Sequence, residues 1–218
     1  MSNSSEFFSA KAIGLSFLVS ILAVFPLFSG TVSAAAINDP QQLIQTVTTQ
    51  LLQRLNNPAK RSAQPPEYYF KLVEEIVAPS VDFELIAKRV MASSYESATP
   101  TQRQNFTQTF RHSLLTTYSK AISTYKDQSV VMLPFLGVQT QGARERATVK
   151  MEIHAKGGEV IPVVYALYKN AQGAWKLENI TLSGINLGLT FRNQFQAVLK
   201  NSKGNMDDAI VAWQKTPG

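Results

Sequence analysis

The stretch from Asn179 to Phe195 reads "NITLSGINLGLTFRNQF" and changes period halfway along. Its first part closes a strand over Trp175–Ser183, with Trp175 and Leu177 on one face and Ile180 and Leu182 on the other. In its second part Ile185, Leu189, Arg192 and Phe195 follow one helical stripe, with Leu187 and Phe191 beside it. Only Ser183, Gly184 and Asn186 separate the two as turn-type residues. Along the whole chain the first half is helical by pattern, the second half is mostly strand and helices return at the end, an order that argues for an α+β fold. So much apolar surface on a strand, its hinge and the next helix leaves two readings. Either the interior is closed, or it opens to hold an apolar ligand.

Working outward, three more strands precede this one. Val130–Val138 and Val160–Tyr168 are apolar on both faces and ask for cover on each side. Between them Ala147, Val149, Met151 and Ile153 alternate with Arg146, Thr148, Lys150 and Glu152, so that strand has one wet face. Gly157-Gly158 and "NAQG" (Asn170–Gly173) supply hairpin turns. The first half of the chain is helical by pattern. Asp39-Pro40 opens a helix with Leu43, Val47, Leu51 and Leu55 in one stripe. A loop over Asn56–Pro66 leads to a helix from Glu67 to Val77, stopped ahead of Pro79. Asp82 caps a third helix, in which Phe83, Ile86 and Val90 share a face. Thr99-Pro100-Thr101-Gln102 is a capping box with proline at the first helical position. It opens a helix of about 27 residues, roughly 40 Å long, with Phe106, Phe110, Leu114, Tyr118 and Ile122 at i, i+4 spacing and Leu115 and Tyr125 alongside. Helices over Leu187–Leu199 and Met206–Trp213 close the chain. An antiparallel meander of about four strands packed with amphipathic helices is the simplest assembly.

The chain has 218 residues, of which 44% are hydrophobic and 17% charged, enough for a sizeable core and too apolar for a disordered chain. Its net charge of +6 favours anionic partners, but the basic residues are scattered and give no nucleic-acid-binding run. Cysteine is absent, which excludes disulfides, thiolate metal sites, a cysteine nucleophile and lipid attachment to an N-terminal cysteine. At the N-terminus Lys11 precedes "AIGLSFLVSILAVFPLF", followed by small residues in "SGTVSAAA" that suit cleavage after Ala34 or Ala36. That order is a secretory signal peptide over residues 1–35, leaving one mature domain over 36–218. A retained anchor is the competing reading, disfavoured by Ser16, Ser20 and Pro26 within the run.

Catalytic constellations are weak. His112 and His154 lack ligand spacing and read as solvated surface residues, so no metal site is expected. "TLSGI" is not a nucleophile elbow, and Ser183 reads as a turn residue. Glu178 reads as a wet-face residue and Asp82 as a helix cap, although acid–base chemistry by a buried carboxylate stays open. No catalytic residue and no cofactor are assigned.

"SATPTQRQNFTQTFRHSLLTTYSKAISTY" (Ser97–Tyr125) resembles the long helix of the toluene-tolerance, MlaC-type family of periplasmic phospholipid carriers. The matching pattern runs through Ala98, Thr99, Gln102, Arg103, Phe106, Phe110, Leu114 and Tyr118. "VDFELIAKRVM" (Val81–Met91) and "WKLENITLSGINLGLTFRNQF" (Trp175–Phe195) resemble two further family segments. Ala92-Ser93-Ser94-Tyr95 departs from a segment that usually holds glycine and a large aromatic. The resemblance implies an NTF2-like sheet with a helical part, enclosing an apolar cavity that holds acyl chains with the headgroup outside. It also implies a non-enzymatic periplasmic carrier. Such a carrier exchanges phospholipid between an outer-membrane lipoprotein–porin complex and an inner-membrane ABC transporter complex with a substrate-binding domain, and so maintains outer-membrane lipid asymmetry. Matching positions carry pocket roles to Tyr118, Val163 and Ile185. Face and period add Phe83, Val90, Phe110, Leu114, Ile122, Val149, Met151, Tyr165, Leu167, Ile180, Leu182 and Leu189 as lipid-binding candidates. Two other readings stay open: an NTF2-like isomerase or hydrolase with an ionisable side chain in its cavity, and a structural adaptor with a filled core.

Overall fold

A computed structural model describes residues 38–57, 64–124 and 128–215. The expected signal peptide and its cleavage site, most of the Asn56–Pro66 loop and Tyr125 lie outside the described residues. The described residues form one compact unit. Helices occupy Pro40–Leu55 (α1), Pro66–Ile76 (α2), Phe83–Met91 (α3), Ser94–Ser97 (α4) and Pro100–Ser123 (α5), with a 3₁₀ turn at Ala78–Ser80. Six strands follow: Ser129–Met132 (β1), Val138–Gln141 (β2), Arg144–His154 (β3), Val160–Lys169 (β4), Trp175–Leu182 (β5) and Ile185–Asn186 (β6). Two helices, Leu187–Asn201 (α6) and Met206–Trp213 (α7), end the chain. The α+β expectation holds.

The helix starts are where short-range chemistry puts them. Asp39 accepts from the Gln42 N–H at 2.9 Å, and Asp82 accepts from the Leu85 N–H at 2.9 Å. Thr99 and Gln102 complete the capping box reciprocally. α5 has 24 residues, shorter than the periodicity predicts, with Thr124 as its C-cap.

The strands differ from expectation in three ways, each with a physical cause. First, Val130–Val138 is not one strand: Pro134 and Gly137 interrupt it, and β1 and β2 pair with different ends of β3 along the same edge. Second, Ser183 and Gly184 both have positive φ (48° and 82°) and form a tight hairpin, so Ile185 pairs back onto Leu182 in β6 rather than opening the helix. Asn186 caps α6 by accepting from the Leu189 N–H. Third, β5 does not change faces. Ala166 pairs with Asn179 but Leu167 pairs with Leu177, so Glu178 is an extra, bulged residue on β5. The bulge cancels the change of parity in the sequence. Trp175, Leu177, Ile180 and Leu182 therefore share the face of Leu167, Tyr165 and Val163.

The sheet runs β1-β3-β4-β5-β6, antiparallel throughout, with β2 beside β3. Its apolar face holds Ala147, Val149, Met151, Val163, Leu167, Trp175 and Leu177, all buried, and Ile44 of α1 lies against it. Trp175 anchors the entry to α1 by donating its indole N–H to the Asn38 carbonyl at 2.9 Å. A second cluster is wholly helical. Phe106 and Phe110 of α5 meet Phe191 and Phe195 of α6 and Trp213 of α7, with ring centroids 4.5 Å apart for Phe106–Phe195 and 5.6 Å apart, edge to face, for Phe110–Phe191. A third, smaller one joins Val73 of α2 and Ala78 to Leu115 of α5. Sheet and helices thus carry separate buried clusters: half-buried Val81 packs against both, Phe83 and Tyr118 pack against the two helical clusters, and Tyr165 and Ile180 pack against the sheet cluster.

Burial drives the phenol of Tyr118 up to about 12. It drives that of Tyr165 higher still, with Tyr118 adding to the shift, and the Tyr165 hydroxyl donates to the Met151 sulfur at 3.6 Å. Both remain neutral in the folded state when the unfolded chain already ionises near 10. The sign follows: their contribution is fully present below pH 10 and is lost as pH rises towards 12 and beyond. Urea midpoints should therefore fall between pH 9 and pH 11, and Tyr118→Phe should flatten that fall; an unchanged slope would place Tyr118 in water. Phe195, fully buried at the centre of the aromatic cluster, should cost about 3–5 kcal/mol when cut to alanine. Denaturant titration of Phe195→Ala reads this directly.

Candidate functional site

The strand-to-helix junction is built by a short side-chain relay. Asn179 donates its amide to the Asn186 side-chain oxygen at 3.0 Å and accepts from the Gly188 N–H at 3.0 Å. A Cβ on Gly188 would sit 2.7 Å from that same Asn179 oxygen, so a larger residue there would push the Asn179 amide out of this relay. The Asn-x-Thr motif at Asn179 is thus a structural tie. At this junction Leu182, Ile185 and Leu189 are 37%, 59% and 54% exposed, an unusual state for three large apolar residues in sequence proximity.

The fifteen candidate residues fall into three groups. Val149, Met151, Val163 and Leu167 are buried on the sheet face, with Tyr165 and Ile180 half-buried beside them. Val90, Phe110 and Leu114 are buried in the helical cluster. Phe83 and Tyr118 are half-buried against both this cluster and the smaller α2–α5 cluster, and Ile122 against the latter. Leu182, Ile185 and Leu189 form the exposed junction. The structure therefore brings together two apolar walls and one exposed apolar end. The buried members are packing positions in this structure.

Periodicity missed a polar site beside this junction. Glu178, expected on the wet face, is buried: as the bulged residue it has no ladder position and turns towards α3 and β3. Arg89 donates to its Oε2 at 2.7 Å and Arg146 approaches Oε1 at 3.6 Å, so both carboxylate oxygens are held by guanidiniums. A carboxylate tied in this way is a structural ion pair and not a free base. Asp82 caps α3 as expected, and it also accepts the hydroxyl of Tyr168, whose phenol is raised to about 12 by burial and by that bond. Between α3, β5 and α6 lies a cavity of about 570 Å³, lined by Ile86, Arg89, Val90, Glu178, Leu189 and Arg192 among others. Of these, Val90 and Leu189 are among the lipid-binding candidates; a bulge-bearing glutamate has no signature in local periodicity.

His154 pairs with Glu152 at 2.8 Å, and His112 stacks near Phe70. Among the described residues no three histidine, aspartate or glutamate side chains converge to hold a metal ion, and no helix is long and apolar enough to cross a membrane.

Comparison with known proteins agrees with this architecture. Residues 45–215 match the family model described as MlaC protein. The toluene tolerance protein ttg2D of Pseudomonas putida is 32% identical over 197 residues, which covers 90% of this chain and 87% of that protein. The intermembrane phospholipid transport system binding protein MlaC of Haemophilus influenzae is 23% identical over 166 residues, 75% of this chain and 76% of that one. Among solved structures, a phospholipid-binding protein from Ralstonia solanacearum in complex with a phospholipid superimposes with a TM-score of 0.70 at 25% identity, covering 81% of this chain and 96% of the other. A match that runs from α1 to the end of α7, over the same two apolar layers, makes this chain a member of the MlaC family.

Proposed function

We propose that this protein is a periplasmic phospholipid-binding transport protein that holds acyl chains between its sheet and its helices. The observation that carries the reading is the pair of separate apolar layers, with half-buried Tyr118 against the helical one and Tyr165 against the sheet one, together with exposed Leu182, Ile185 and Leu189. Membership of the MlaC family and the phospholipid-bound neighbour support it.

The energetics set how such a carrier works. A diacyl lipid exposes about 30 methylenes, each worth about 0.8 kcal/mol on leaving water, or on the order of 24 kcal/mol in all. Release into water is therefore prohibitive, while transfer to a bilayer or another apolar pocket is nearly isoenergetic. Loading and unloading then require docking to the donor or acceptor. In this reading the partners are an inner-membrane ABC transporter complex with a substrate-binding domain and an outer-membrane lipoprotein–porin complex, and the exchange maintains outer-membrane lipid asymmetry. The net charge of +6 would speed docking to acidic surfaces, with an on-rate that falls as salt rises. Residues 1–35 act as the export signal.

Purification from the periplasm without detergent, then solvent extraction and mass spectrometry, should find stoichiometric phospholipid. Folded mature protein with none would overturn the reading. Ile185→Trp is the sharper variant, because Ile185 is exposed and the larger ring needs no repacking. It should lower lipid content several-fold with an unchanged melting temperature. Val163→Trp should do the same at a cost of about 1–3 kcal/mol, since Val163 is buried on the sheet face.

A further inference from the structure

The cavity between α3 and α6 pairs an apolar floor with cationic walls. Ile86, Val90 and Leu189 supply the floor, while Arg89 on α3 and Arg192 on α6 both line the space. Arg192 has no hydrogen bond or ion pair to any described residue and is exposed at the cavity. Arg89 commits one terminal nitrogen to the Glu178 carboxylate at 2.7 Å and the other to the Glu178 carbonyl at 3.4 Å, which leaves further N–H donors of its fork. The acidic group in the lining is already neutralised, because Glu178 lies between Arg89 and Arg146. Two further polar side chains of the lining are occupied as well: Asn186 accepts from the Leu189 N–H and Asn179 accepts from the Gly188 N–H. The charged donors that remain on offer are guanidiniums.

We propose that this cavity receives the phosphodiester of the bound lipid, with Arg192 and Arg89 as its anion-binding residues. The inference rests on the phospholipid reading and names which part of the lipid this chain recognises. Leu189 of the cavity follows the exposed Leu182 and Ile185 closely along the chain, and the proposal seats the acyl chains of the lipid at this end and its phosphate at the guanidiniums. A phosphodiester is a monoanion with two free oxygens, matched by the planar fork of arginine. At about 570 Å³ the cavity exceeds a phosphate and has room for the glycerol beside it. No free carboxylate waits there for an ammonium group. The site therefore reads the phosphate and ignores the headgroup beyond it.

The test compares binding of a phosphatidyl lipid and of a diacylglycerol with the same chains, each offered in vesicles to delipidated mature protein, with inorganic phosphate titrated separately. The wild type should take up the phosphatidyl lipid about tenfold better than the diacylglycerol, the loss of one charge-assisted contact being worth about that factor. Arg192→Gln should bring the two close to parity by lowering only the phosphatidyl lipid, and phosphatidylethanolamine and phosphatidylglycerol should respond alike. A preference unchanged in Arg192→Gln, or an equal loss of both lipids, overturns the proposal. Arg192-dependent binding of inorganic phosphate without any preference between the lipids makes the cavity a free-anion site and overturns it too. Failure of the wild type to bind either lipid defeats the carrier function itself, a result distinct from loss of phosphate preference alone.

Discussion

Between β4 and β5 the pairing slips by one residue, and much of the molecule hangs on that slip. Because Glu178 is left over on β5, Trp175 and Leu177 before it and Ile180 and Leu182 after it face the same way. Without the bulge, Ile180 and Leu182 would point to the polar side, where Thr148, Lys150 and Tyr168 lie, and the apolar face would end at Leu177. The displaced Glu178 becomes a buried anion, and burial without partners would cost several kcal/mol. Arg89 and Arg146 supply those partners, and Arg89 thereby ties α3 to the sheet. The same region is fastened twice more, by the Asp82 N–H donating to the Leu177 carbonyl at 3.1 Å and by the Tyr168 hydroxyl donating to Asp82.

That fastening holds one edge of the helical layer while its contact with the sheet face stays loose. The tight aromatic cluster around Phe106, Phe110, Phe195 and Trp213 belongs to helices alone. The sheet face is packed by α1 through Ile44. Half-buried Val81 packs against both layers, while Tyr118 and Tyr165 each pack on one side, and such half-buried residues contribute less burial energy and tolerate separation.

Much of this was legible in the residues. Helix starts at Asp39, Asp82 and Thr99 depend on contacts within three residues, and each formed as the sequence indicates. The alternation of β3 and the stripe of α5 are equally local, and Val149, Met151, Phe110 and Leu114 are buried accordingly. The family resemblance likewise rested on spacing within single elements. The failures share a different origin. Val130–Val138 was read as one strand because apolar residues dominate it, yet Pro134 and Gly137 redirect the chain so that its two ends pair with separate parts of β3. Glu178 looked solvent-facing because parity counting assumes an unbroken ladder.

By itself, then, the sequence determined the main helices and their caps, the apolar faces of β3 and α5, and the family to which the chain belongs, since each depends on residues a few positions apart. Only the tertiary structure decided which face Ile180 and Leu182 occupy, that Ile185 folds back as a strand, and that Arg89 reaches a buried Glu178 across 89 positions of chain. Those outcomes turn on the register between strands and the approach of one helix to another. Such long-range choices are settled by the total burial and charge pairing of the folded chain, and no local pattern encodes them.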